Sequence, residues 1–141
     1  MNRYLLLIAT ALLAHALSSA RAADKVDFEQ QIKPILEFDC VRCHGPEKPK
    51  GGLRLDTRGG ALKGGDNGPA LVPGKPDQSP LYTSTILPAD DDKHMPPKGD
   101  PLKKDQTELL RVWIEQGAAW PEGLTPLIGR ASCRERVSTI V

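Results

Sequence analysis

Between Gly45 and Pro101 the chain carries 10 of its 13 glycines and 10 of its 13 prolines. Such a stretch has few uninterrupted runs in which backbone donors and acceptors can pair regularly, so long helices and sheet strands are excluded from it. Regular structure is left to the two flanks. From Asp27 the apolar residues Phe28, Ile32, Ile35 and Leu36 recur on one helical face, with Asp27 and Gln30 as a capping pair. Pro34 predicts a kink, or a helix regular only from that point, and the helix should run into Cys40 and Cys43. On the other flank "DQTELLRVWIEQ" places Leu109, Leu110, Trp113 and Ile114 on one face. Asp105 and Glu108 are its expected capping box, and Gly117 its stop. Within the middle, "GLRLD" reads as a brief strand and "SPLYTSTIL" as a short helix with Ser79 as N-cap and Pro80 at its first position.

The apolar residues available to such a fold are few: Phe28, Phe38, Tyr82, Trp113, Trp120 and a modest set of aliphatics. A domain with so small a core needs a staple, and a bound cofactor that acts as core would supply one.

The N-terminus carries the marks of a secretory signal. Arg3 is followed by the apolar run "YLLLIATALLAHAL" and by "SARA", which predicts cleavage after Ala22, or secondarily after Ala20. A membrane anchor is the alternative, but the run falls short of the roughly 20 residues needed to span and His15 interrupts it. Export to a periplasmic or extracellular space makes thiols pair or carry something covalent. The full chain has a formal net charge of +1, and no basic patch points to nucleic acid. The third cysteine, Cys133, lies in a tail without helical or strand period, 128–141. Its Ile128 to Val137 segment resembles a translated sequencing-library adapter, so the native sequence is expected to stop near Leu127. A genuine short polar tail is the alternative. The expected organisation is a signal peptide at 1–22, one domain at 23–127 and a non-native tail at 128–141.

Cys40-Val41-Arg42-Cys43-His44 has the spacing of a c-type haem attachment site. Two cysteines one helical turn apart reach the two vinyl groups on one porphyrin edge, and the next residue, His44, is carried under the iron. Competing chemistries explain less. Structural zinc needs four donors and would have to use Cys40, Cys43, His44 and His94 together. A dithiol of the thioredoxin kind wants a βαβ setting, and a disulfide across three residues closes almost no loop. For the opposite side of the iron, Met95 in "KHMPPKG" is favoured, its backbone stiffened by Pro96 and Pro97, with His94 or an open site as alternatives.

Taken together, "FEQQIKPILEFDCVRCHGPEKPKGGLRLD", "GGDNGPALVPGKP", "MPPKG" and "WIEQGAAWP" resemble the planctomycete/verrucomicrobial cytochrome c-type domain over residues 26–123. The resemblance implies an all-α, class I-like cytochrome c fold whose terminal helices pack together while the middle wraps one haem. It places haem attachment on Cys40 and Cys43 and the axial roles on His44 and Met95. The expected function is one-electron transfer by a monohaem, non-enzymatic module whose partners are redox proteins or fused C-terminal domains. A haem sensor or enzyme with an exchangeable distal ligand, and a zinc or structural module without haem, are the alternatives. Arg42, Arg54 and Lys63 are candidates to offset propionate charge, as are the indole N–H groups of Trp113 and Trp120.

Overall fold

The computed structural model describes residues 24–47 and 49–126. The expected signal peptide and the tail with Cys133 lie outside the described residues. What is described is all-α, with no strand. Three consecutive turns, Phe28–Ile32, Lys33–Ile35 and Leu36–Cys40, make one helical run, α1. Arg58–Lys63 forms α2, Pro80–Thr83 forms α3, and Lys104–Glu115 forms α4. Short 3-10 turns at Lys50–Gly52, Pro76–Gln78 and Ser84–Ile86 punctuate the loops.

Pro34 does not end α1, but the helix is not regular downstream of it, contrary to the second expectation. The helix widens on each side of a single α-turn: Lys33 N–H reaches back five residues to Phe28 O, and Val41 N–H to Leu36 O at 2.8 Å. A proline has no N–H to donate and its ring crowds the preceding turn, so wider turns accommodate it without a break. Asp27 Oδ1 accepts from Gln30 N–H as expected (2.8 Å), but the reciprocal bond to Asp27 N–H comes from Gln31 (2.9 Å).

Two other ends differ from expectation. α4 starts one residue before Asp105, which sits in its first turn; the N-cap is Lys103, whose N–H donates to Gln106 Oε1 at 2.9 Å. The glutamine is the residue that reaches back, so Glu108 is released to pair with Arg111. Gly117 does end α4. Its N–H bonds Ile114 O and the next N–H, Ala118, bonds Trp113 O, both at 2.9 Å. This paired arrangement satisfies the last carbonyls and needs a left-handed residue at Gly117, where φ is 96°. "GLRLD" forms no strand. Pro80 does open α3, but the Ser79 hydroxyl turns away from it, accepting from Val72 N–H (2.9 Å) and donating to Lys75 O (2.9 Å).

The two long helices meet at an aromatic cluster. The Phe28 ring lies 4.5 Å from that of Trp120 and 5.8 Å from that of Trp113, in the tilted arrangements that ring quadrupoles favour. Both indoles spend their N–H groups locally, Trp113 on Ala119 O and Trp120 on Leu124 O. They are therefore core residues and not donors to a bound group. Ile32, Leu36, Leu110 and Ile114 complete the seam, all without solvent exposure. At its edge Gln116 ties the start of the domain down, accepting from Val26 N–H (2.8 Å) and donating to Asp24 O (3.2 Å). Phe38, counted as a core candidate from sequence, is 49% exposed.

Truncating the buried Phe28 removes the ring that lies against both indoles and leaves a cavity between the two long helices. Phe28→Ala is expected to cost about 3–5 kcal/mol of unfolding free energy, read from denaturant titration of tryptophan fluorescence.

A candidate cofactor cavity

Cys40 closes the last turn of α1, and its carbonyl then accepts from both Cys43 N–H (3.1 Å) and His44 N–H (2.9 Å). The helix thus stops at Cys40, and Cys43 is carried by the turn that follows. The next two bonds fold the chain back over this turn: Lys50 N–H to Cys43 O at 3.0 Å and Leu55 N–H to His44 O at 2.7 Å. From Leu53, whose backbone is extended, the chain runs on to Leu55, which bonds the turn and not another strand.

A second loop docks on the first by main-chain contact. Asp66 N–H donates to Gly51 O at 2.8 Å, and a Cβ placed on Gly65 would stand 2.1 Å from that same carbonyl. Only glycine allows this approach. On the far side, Met95 N–H donates to Ser84 O at 3.0 Å, fixing the start of "MPPKG" beside α3. The Met95–Pro96 peptide is cis.

These segments enclose a cavity of about 800 Å³, the size of a small-molecule or cofactor site. Cys40, Cys43, His44 and Met95 all line it, with an apolar wall that includes Leu53, Leu55, Leu81, Leu87 and Leu102. Residues as far apart in sequence as Cys40 and Met95 are therefore brought to one space. His94, the alternative ligand, does not line it: its Nδ1 is bonded to Leu87 O at 2.8 Å and the residue is buried.

The donor set fits a haem of the c type. Cys40 and Cys43 are free thiols. Burial pushes the Cys40 thiol up to about 12, with the Asp39 carboxylate and Cys43 adding to the effect. His44 Nδ1 lies 3.1 Å from Lys50 O, and a carbonyl can only accept, so Nδ1 carries the proton. The lone pair is then on Nε2, the arrangement an imidazole needs to ligate iron while its other nitrogen is held. Burial lowers the His44 pKa, which favours that neutral form. A four-donor zinc site is not assembled: among the described residues no group of three or more His, Cys, Asp or Glu is disposed to hold a metal ion.

Of the cations weighed from sequence, Arg42, Arg54 and Lys63 do not line the cavity, whereas Lys50 and Lys93 do. Nothing in the spacing of those two lysines distinguishes them from the other surface lysines. Arg54 is occupied by Asp56 through two hydrogen bonds, at 2.9 and 2.6 Å.

Residues 40–99 match the family model described as Planctomycete cytochrome C. The matched segment begins at the first candidate cysteine and ends just beyond Met95, so it holds every candidate cofactor residue; the two long helices lie mostly outside it. Over these residues the chain is similar to the planctomycete cytochrome c-type domain, and haem c is the cofactor that family implies. No curated protein and no solved structure matches the chain.

Asp56 has its carboxyl held below the usual range by hydrogen bonds from the Arg54 guanidinium, although burial works against this. A depressed folded-state pKa contributes stability that is complete above the unfolded value of about 3.9 and is lost as pH falls through the folded value. Because Asp56 follows the Leu55 amide that holds His44, acid should loosen this cover over the site. Asp56→Asn is expected to be less stable than wild type at neutral pH. The difference should shrink as pH drops below about 4, measured by denaturant unfolding at a series of pH values.

Proposed function

We propose that this domain is a monohaem electron-transfer module of cytochrome c-like fold, with haem attached through Cys40 and Cys43 and ligated by His44 and Met95. The observation that carries the reading is that these four side chains, a thiol pair, an imidazole held through its Nδ1 and a thioether, line a single cavity with largely apolar walls.

Haem, when bound, supplies an iron that exchanges one electron between ferric and ferrous forms. The chain's own groups determine how. Cys40 and Cys43 would hold the group as thioethers, each S–H adding across a vinyl double bond, an addition that would consume no oxidant. The Lys50 carbonyl orients the His44 ring and makes its Nε2 a stronger donor. Met95 supplies a soft thioether, and His/Met ligation raises the reduction potential. The leucine wall keeps water out and disfavours the more highly charged oxidised form. With His44 and Met95 both holding the group, no position would be left for a substrate, and the module would relay electrons without catalysing bond chemistry. Its partners would be redox proteins or domains fused in the same polypeptide. Attachment of this kind belongs with export, in line with the N-terminal signal reading. Among the described residues no helix is long and apolar enough to cross a membrane.

The test is to produce the full chain in a bacterium equipped for periplasmic cytochrome c maturation. Colour that survives denaturation, sharp low-spin bands on reduction and a weak far-red sulfur-to-iron band when oxidised are the expected result. Met95→Ala should lose the far-red band while keeping the colour, and Cys40→Ala with Cys43→Ala should lose covalent colour altogether. A folded but colourless wild-type protein would sink the reading.

A further inference from the structure

His94 poses a question that ligation by Met95 leaves open. Its ring is buried, and among the described residues Nε2 has no hydrogen-bond partner. Burying an unpaired ring nitrogen is unfavourable, and an apolar side chain of similar size would avoid it. The imidazole must therefore matter for its other nitrogen. Nδ1 lies 2.8 Å from Leu87 O and, facing a carbonyl, carries the proton.

That bond spans the mouth of a loop. Leu87 and Met95 both line the cavity, and the seven residues between them include Asp90, Asp91 and Asp92 in succession. Adjacent carboxylates repel one another and favour an open loop. Local turns fold it: Asp91 N–H donates to Pro88 O (3.0 Å), Lys93 N–H to Asp91 Oδ1 (2.8 Å) and His94 N–H to Asp91 O (3.0 Å). These bonds shape the loop internally, and the His94 ring ties its two ends together directly before Met95.

We infer that His94 is a positioning residue: its Nδ1–H···O bond to Leu87 closes the 87–94 loop and holds the Met95 thioether at the cavity wall. This rests on Met95 being the axial ligand. It also gives His94 a definite role in place of the ligand role it was weighed for. Loop closure sets how tightly sulfur can be held on iron, and so the reduction potential and the resistance of the distal side to external ligands.

Two substitutions separate the two ring nitrogens. In His94→Asn the side-chain amide N–H sits where Nδ1–H does and keeps the bond to Leu87 O. In His94→Gln it sits one bond further out, at the position of Nε2, and cannot. With the haem-loaded full chain, wild type and His94→Asn are expected to keep the far-red sulfur-to-iron band and nearly the same potential. His94→Gln should lose or weaken the band, shift to lower potential and bind carbon monoxide in the ferrous form, while its helical circular dichroism is retained. If wild type itself lacks the band, Met95 ligation fails and the inference with it. If wild type has the band and His94→Gln matches it in band and potential, the inference alone fails. Loss of the band in both variants overturns it too, since Nδ1 would not be the nitrogen that matters. A variant that no longer folds also overturns it, because the bond would then be holding the domain and not the loop.

Discussion

The contact between Phe28 and the two indoles of Trp113 and Trp120 is where this chain becomes a domain. The glycine- and proline-rich middle buries too little apolar surface to order itself. It is ordered because both its ends are anchored, one by α1 and the other by α4, and those helices are fixed to each other by the aromatic cluster. Fixing the ends shortens the freedom of everything between and lets weak loop contacts form cooperatively.

Inside that frame the cavity wall is made chiefly of backbone. The turn at Cys40–His44 is covered through Cys43 O and His44 O, the second loop docks through Gly51 O, and the Met95 segment is seated through Ser84 O. Main-chain bonds of this kind hold position without filling space, so the volume stays open for a group that packs against leucines. A cavity of this size would be a poor feature in a small domain by itself. A large flat ring of the kind the family implies would fill it and pack against Leu53, Leu55, Leu81, Leu87 and Leu102.

How much of this could be read in advance depends on the range of the interaction. The amphipathic faces of α1 and α4, Pro80 at the start of α3 and Gly117 at the end of α4 follow from local chemistry, and all appear. Cys40, Cys43, His44 and Met95 stood out by residue type and setting, and the fold brings all four to one cavity. What was not legible depended on tertiary partners. Gln31 and Gln106, not Gln30 and Glu108, supply the reciprocal caps, a choice between near-equivalent neighbours. Leu53–Leu55 has strand-like composition but finds the Cys43–His44 turn before any strand. The Ser79 hydroxyl reaches Val72 and Lys75 because the preceding loop passes there, which no local rule foretells. Phe38 is apolar at a position where the helix faces water, and Lys50 and Lys93 are set apart from other lysines only by where their loops lead.

Gln116 has a consequence of a different kind. By accepting from Val26 N–H and donating to Asp24 O, it holds the first described residues against the end of α4, beside the ring of Trp120. The start of the domain and the end of α4 are thus pinned together. A pull applied between those two points would be taken up by the glutamine and the aromatic cluster, in shear, and would bypass the loops around the cavity.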